Sequence, residues 1–134
     1  IKDINFIWDE VLNFDGNTGP YVQYTYARCC GILEKAGEYG KGGVLTESAE
    51  YDIVKTLSLF PEKVEQARRE LEPSVISRFL LDVCQEFNRF YHDCPVLKAD
   101  SDEVKNTRLD IVKATGNVLK SGLALIGLKA PRNI

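Results

Sequence analysis

The sequence predicts an all-α fold, a helical bundle in one domain, and three observations carry that expectation. Apolar residues recur at steps of three and four along most of the chain, which is the period of one helix face. No stretch of strand length alternates apolar and polar residues, and no internal repeat is present. Pro20, Gly37, Pro61, Pro73, Pro95 and Gly127 punctuate the periodic stretches at helix-sized intervals. At 134 residues, the chain can bury a core without disulfides or metals.

Residues 1–14 place Phe6, Ile7, Val11 and Phe14 at helical spacing and predict a short helix. Asp9 and Glu10 within it are surface acids, because adjacent helical residues point about 100° apart and do not converge for acid–base chemistry. Residues 15–37 combine a tight loop with a helix, and the rest of the chain is organised around them. Gly16, Asn17 and Gly19 tolerate positive φ, and Thr18 or Asn17 offers a capping oxygen. Pro20 is harmless in a first turn, and Gly37 is a stop. Val22, Tyr26, Cys29, Leu33 and Ala36 make the buried stripe, which leaves a second face of Tyr21, Tyr24, Thr25, Arg28 and Lys35.

Gly40, Lys41, Gly42 and Gly43 form a flexible connector that lacks the spacing of a phosphate loop. Thr46 or Ser48 caps the next helix, buried through Ile53, Val54, Leu57 and Phe60. Pro61 divides it from another helix in which Val64, Ala67 and Leu71 align while Glu62, Glu65, Arg69 and Glu70 face water. After Glu72-Pro73-Ser74, the series Val75, Ile76, Phe79, Leu80, Val83, Phe87 and Phe90 has the strongest period in the chain, so that helix belongs at the centre of the core. It ends in Asn88-Arg89-Phe90-Tyr91-His92 ahead of Pro95. Asp100 or Ser101 caps the last helix, which carries Val104, Ile111, Val112, Thr115, Val118, Leu119, Gly122, Leu123, Leu125 and Ile126 over roughly seven turns. Gly116 and Gly122 weaken it by about 1 kcal/mol each relative to alanine. Close approach of a neighbouring helix offsets that cost. Gly127 ends it, and residues 128–134 trail off as a tail.

The net charge of −3 confines any nucleic-acid surface to a local patch. Acidic residues crowd into residues 47–52, 62–72 and 100–103, as solvated helix starts do. Four cysteines and the lone His92 lack zinc spacing, and no metal site is expected. Cys29 and Cys84 fall on apolar faces as small buried thiols, which suits a reducing, cytoplasmic compartment. No apolar run is long enough to span a bilayer, and no basic, apolar leader is present. No nucleophile–base pair or phosphate loop emerges, so the residues exclude a freestanding enzyme and give no catalytic residue. Rings beside cations at helical spacing, as in Tyr21, Tyr24 and Arg28, suit stacking on nucleobases. The same features also suit docking to another protein, so a helical protein–protein interaction module is the alternative.

The wording of several strings narrows this choice. Trp8-Asp9-Glu10-Val11-Leu12-Asn13-Phe14, then Gly16-Asn17-Thr18-Gly19-Pro20-Tyr21, a Gln-Tyr pair and Ala27-Arg28 resemble the end of the catalytic core of arginyl-tRNA synthetases. The similarity continues through Glu72-Pro73-Ser74, Phe87-Asn88-Arg89-Phe90-Tyr91, Arg108-Leu109, Lys113-Ala114 and Val118-Leu119. It closes on Gly122-Leu123-Ala124-Leu125-Ile126-Gly127-Leu128 before the proline-containing tail, and so spans essentially the whole chain. The Asp-Ala-Leu-Arg string that names the domain type is not intact here, where Asn106-Thr107-Arg108-Leu109 stands near the matching place.

The resemblance implies a helical bundle of the class I aminoacyl-tRNA synthetase anticodon-binding type. Residues 1–19 would be the end of the catalytic core and its connecting loop, and residues 20–134 the anticodon-binding domain. The implied partners are the anticodon stem-loop of arginine tRNA and the catalytic core of the same chain, in a monomer with no membrane role. Tyr21 and Ala27 match positions that meet anticodon bases, Tyr91 matches a stacking aromatic, and Ile134 stands where many members end in methionine packed on the anticodon loop. Tyr24 and Arg28 share their helix, and Arg28, Lys35, Arg89 and Lys120 are phosphate candidates. Both ATP signature motifs of this synthetase class are absent, so these residues alone should not form an adenylate. ATP and magnesium belong to the full-length enzyme, with no cofactor in this part.

Overall fold

The computed structural model describes residues 7–11, 16 and 18–134. Six helices follow in order: α1 (Trp8–Val11), α2 (Gly19–Ala36), α3 (Ser48–Ser58), α4 (Phe60–Glu70), α5 (Ser74–Asp93) and α6 (Asp102–Leu125). The described residues are helical and loop only, as the periodicity predicts. Of the expected helix over 1–14, α1 is the described part; Phe6, Phe14 and the candidate cap Asn17 lie outside the described residues.

α5 packs against α2, α3, α4 and α6, which places it at the centre. Each of its seven expected core residues is buried, with Cys84 as an eighth. Burying side chains of this size stabilises by about 1.5–3 kcal/mol each, so α5 contributes the largest share of the core. α6 packs mainly on α2, while α3 and α4 cover the other side of α5.

Local chemistry sets the ends of α2. The Thr18 Oγ1 atom accepts from the Tyr21 amide at 3.3 Å, and Pro20 occupies the first turn. Gly37 closes the helix at φ 66°, a conformation that an L side chain rarely adopts. The buried stripe is rotated from the expected one: Thr25 and Ile32 join Val22, Tyr26 and Cys29, whereas Leu33 and Ala36 are half-buried. Thr25 was expected on the outer face. It is buried because its hydroxyl donates to the Tyr21 carbonyl at 2.9 Å, which satisfies the polar atom inside the helix.

In α6, Gly122 repays its low helix propensity, since a Cβ built there would lie 2.4 Å from Leu80 Cδ2 of α5. Gly116 would place one 3.5 Å from Cys29 Cβ of α2. Both glycines therefore sit where a neighbouring helix approaches.

Six expectations are corrected. Val54, Leu71 and Leu125 are exposed, at 38%, 87% and 56%; the core contacts of these helices are completed by Ile53, by Val64 with Ala67, and by Leu123 with Ile126. Leu71 is drawn out by its position as the α4 C-cap, in the left-handed region at φ 55°. The α3 cap is Glu47, not Thr46 or Ser48. Nor is the glycine connector free: the amides of Gly43 and Val44 donate to Thr107 Oγ1 at 2.9 and 3.2 Å, and that of Gly42 to Asp110 Oδ2 at 3.2 Å. A Cβ at Gly42 would fall 2.3 Å from the Thr107 backbone, so the connector lies flat on α6 only because it has none. The tail also folds back. The Lys129 carbonyl accepts from Gln23 Nε2 at 2.8 Å, and Arg132 pairs with Glu34 at 3.1 Å.

Within the acidic run 47–52, Glu50 is fully buried. Its Oε2 accepts from the Thr46 and Glu47 amides at 2.6 and 3.1 Å, and its Oε1 from Arg108 Nε at 2.6 Å. Arg108 also donates from Nη1 to the Pro95 carbonyl at 2.8 Å. One ion pair thus ties the start of α3, the loop after α5 and the first turns of α6. Burial pushes the Glu50 carboxyl up, but the guanidinium and the two amides outweigh it and hold the group below the usual carboxylate range.

Candidate nucleic-acid interface

The packing of α2 on α5 brings Tyr21, Arg28 and Tyr91 together through a residue from between them in space, Asn88. Its Nδ2 donates to the Tyr21 hydroxyl at 2.7 Å, and its Oδ1 accepts from Arg28 Nη1 at 3.3 Å. The Arg28 guanidinium carbon lies 4.5 Å from the centroid of the Tyr91 ring, over its face. Phe87, one turn earlier on α5, stacks with Tyr91 at 6.1 Å and 24°. The result is a half-buried tyrosine, an amide, a guanidinium and an exposed ring in one array. Tyr21 and Tyr91 are neither sealed in the core nor on opposite sides of the molecule, the two placements that would have broken a shared surface.

Tyr24 is exposed one turn before Arg28, on the same side of α2. Ala27 is half-buried on the flank that also carries Gln23 and Glu34, and so lies beside the tail that those two residues hold. Ile134 is exposed, and among the described residues no hydrogen bond or ion pair links it to the Tyr21–Tyr91 array.

The cations divide differently from the expectation. Arg89 pairs with Asp52 of α3 at 3.1 Å and with Asp93 at 3.9 Å, so it is committed within the fold. Arg28 is held between Asn88 and Tyr91. Lys35 and Lys120 are exposed, with no ion pair among the described residues. Sequence reasoning missed Asn88 as the linker and missed the loop after α5. There Pro95, Val96, Leu97 and Lys98 line, with Tyr91, a pocket of about 330 Å³. The signal was present as a proline break followed, after Val96, by an adjacent leucine and lysine. Among the described residues no group of His, Cys, Asp or Glu is arranged to hold a metal, and no helix is long and apolar enough to cross a membrane.

Fold and array together define a helical domain that presents aromatic and amide groups at the junction of two helices, and the chain belongs to the DALR anticodon-binding domain family, whose model matches residues 22–134. Within that family its relatives are arginine–tRNA ligases. The chain is 45% identical to the arginine–tRNA ligase of Alkaliphilus metalliredigens over 138 aligned residues, covering 100% of this chain and 24% of that protein. It is 42% identical to that of Ignicoccus hospitalis, covering 97% and 21%. The structure superposes on the arginyl-tRNA synthetase of Thermus thermophilus with a TM-score of 0.94 at 36% identity, over 99% of this chain and 24% of that one. That of Plasmodium falciparum gives 0.85 at 26% identity, over 99% and 24%. The chain therefore spans about a quarter of the length of these relatives. The resemblance drawn from the Gly16–Tyr21, Phe87–Tyr91 and Gly122–Leu128 strings is confirmed at the level of family and fold.

Proposed function

We propose that this chain reads the anticodon stem-loop of arginine tRNA on behalf of an arginine–tRNA ligase. In this reading residues 1–19 end the catalytic core, residues 20–134 are the RNA-binding domain, and the remainder of a longer cytoplasmic, monomeric enzyme uses ATP and magnesium to join arginine to the tRNA. The fragment alone is inactive in aminoacylation. The observation that carries the proposal is the Tyr21–Asn88–Arg28–Tyr91 array. Unpaired loop bases are read by aromatic stacking plus hydrogen bonds to their exposed edges, and this array offers a ring, an amide and a phenol hydroxyl within one small surface. Tyr24 extends it along α2, and Ala27 leaves room for a base where a larger side chain would stand. Ile134 would reach the loop from the tail. Phosphate contacts fall to lysines such as Lys35, since Arg89 is committed elsewhere.

Titration with an arginine tRNA transcript at two salt concentrations tests this. Affinity falls steeply as salt rises, because phosphate neutralisation releases counterions. Tyr91→Ala, which removes an exposed ring, weakens binding by about 1–3 kcal/mol. Equal affinity of the two proteins, or an affinity indifferent to salt, would reject the proposal.

A further inference from the structure

We propose that the groove between α3 and α6 is a docking site for an acidic amphipathic helix of a partner protein, on elements that the RNA array of α2 and α5 does not use. The groove, of about 530 Å³, is floored by Val54 and Leu57 of α3 and by Ile111, Ala114 and Val118 of α6. The 42–45 connector closes one end, where the Thr107 hydroxyl and the Asp110 carboxylate hold the amides of Gly42, Gly43 and Val44. The walls are therefore preformed, and a partner seating there orders little of this chain. The helical period of the sequence assigns Val54 and Leu125 to buried faces, yet the fold leaves both exposed, together with Val44 at the connector end and Leu59 beside Ser58. Apolar residues gathered in the open about one groove mark a contact site. On α6, Ile111, Ala114, Val118 and Leu125 follow at steps of three, four and seven, a stripe about 21 Å long at the α-helical rise. That is the length of about four turns, and its spacing matches the i, i+3, i+7 anchors by which an amphipathic helix lies in a groove.

Charge selects the occupant. Although the chain carries a net −3, the free charges beside the groove are mainly cationic. Lys55 follows Val54 on the exposed edge of α3, and Lys41 and Lys113 line the recess on the far side of Asp110. Among the described residues none of these three lysines makes an ion pair or a side-chain hydrogen bond. Of the acids, Asp110 already accepts from the Gly42 amide at 3.2 Å, which leaves Glu38 in the recess as the counterweight. A helix with glutamates on both flanks of its apolar stripe therefore meets unpaired lysines on both sides of the groove. No aromatic ring lines the groove, so it offers a nucleobase no stacking platform, whereas its aliphatic floor suits leucine and valine side chains.

The test measures, by fluorescence anisotropy across a salt series, the binding of two labelled four-turn synthetic helices, each with leucines along one face, one flanked by glutamates and the other by lysines. The chain binds the acidic peptide in preference to the basic one, and its affinity falls as salt rises. Val54→Glu, which sets a carboxylate in the floor, weakens binding roughly tenfold and leaves affinity for arginine tRNA unchanged. Lys55→Glu combined with Lys113→Glu weakens the acidic peptide roughly tenfold and transfers the preference to the basic one, a reversal that a folding defect would not produce. All three residues are exposed, and circular dichroism checks that helicity is retained. No binding of the acidic peptide, equal binding of the two, or indifference to Val54→Glu would overturn the proposal. Three other results would give the groove to a different occupant and overturn it equally. These are self-association of the unaltered chain that Val54→Glu abolishes, loss of peptide binding in a longer ligase containing this chain, and displacement of the peptide by arginine tRNA. None of them touches the Tyr91→Ala readout, so the RNA-binding function stands or falls separately.

Discussion

Replacing Arg108 by methionine tests the buried ion pair that joins three parts of the fold. Arg108 is 7% exposed and Glu50 0%, so the substitution leaves a charge in the interior with only the Thr46 and Glu47 amides and, at 3.5 Å, the Thr46 hydroxyl as donors. It also removes the donor to the Pro95 carbonyl. Breaking a buried pair by deleting one partner costs about 3–5 kcal/mol, and for a chain of this length that lowers Tm by about 10–20 °C. The pH dependence gives a sharper readout. With Arg108 present the Glu50 pKa is depressed, so its contribution is complete above the ordinary carboxylate pKa and is lost as pH falls through the folded value. Without Arg108, burial dominates and the folded pKa rises, so the variant gains stability relative to the parent as pH falls from 7 towards 5. Denaturant unfolding followed at 222 nm at several pH values measures both. A loss below about 0.5 kcal/mol, the range of ordinary surface substitutions, or a difference between the two proteins that ignores pH, would refute the reasoning. Adding Glu50→Leu to the variant should recover part of the loss, since the stranded charge is then gone.

Three further outcomes follow from the geometry. Gly122→Val forces its side chain into Leu80, and overpacking of about 1–3 kcal/mol should appear as a lowered Tm with α-helical content retained. Gly42→Ala lifts the connector off Thr107 and loses up to three hydrogen bonds at about 0.5–1.5 kcal/mol each; amide exchange at Gly43 and Val44 should accelerate. Of the four free thiols, Cys29, Cys84 and Cys94 are buried. Burial raises all three, Cys84 to about 12, so a disulfide reagent should titrate Cys30 alone in the native chain and all four only in denaturant.

The helices were legible because each buries one face, and a buried face imposes its period on local sequence whatever lies across from it. The α5 series from Val75 to Phe90 shows this most fully. What could not be read locally depended on partners far along the chain. Glu50 has the appearance of a solvated acid in an acidic run until Arg108 is folded against it. Arg89 has that of a phosphate ligand until Asp52 of α3 arrives. Gly42 suggests freedom in sequence, whereas in the fold its missing Cβ permits tight contact. Tyr21, Arg28 and Tyr91 were named from helical spacing and resemblance, and the structure brings them together. Asn88, 67 residues from Tyr21, supplies the bond that no periodicity encodes. Lys98 escaped notice because the residues after Pro95 have no period.

α4 has no fully buried residue. It rests on α5 through half-buried Val64 and Ala67, with the Phe60 ring stacked on Phe79 at 5.9 Å. Local opening draws on segments with few buried contacts, so this edge peels away at a free energy well below that of global unfolding. Because α2, α5 and α6 hold one another without it, an excursion of α4 leaves Tyr21 and Tyr91 in place, and the surface proposed for RNA is insulated from this loosely seated helix.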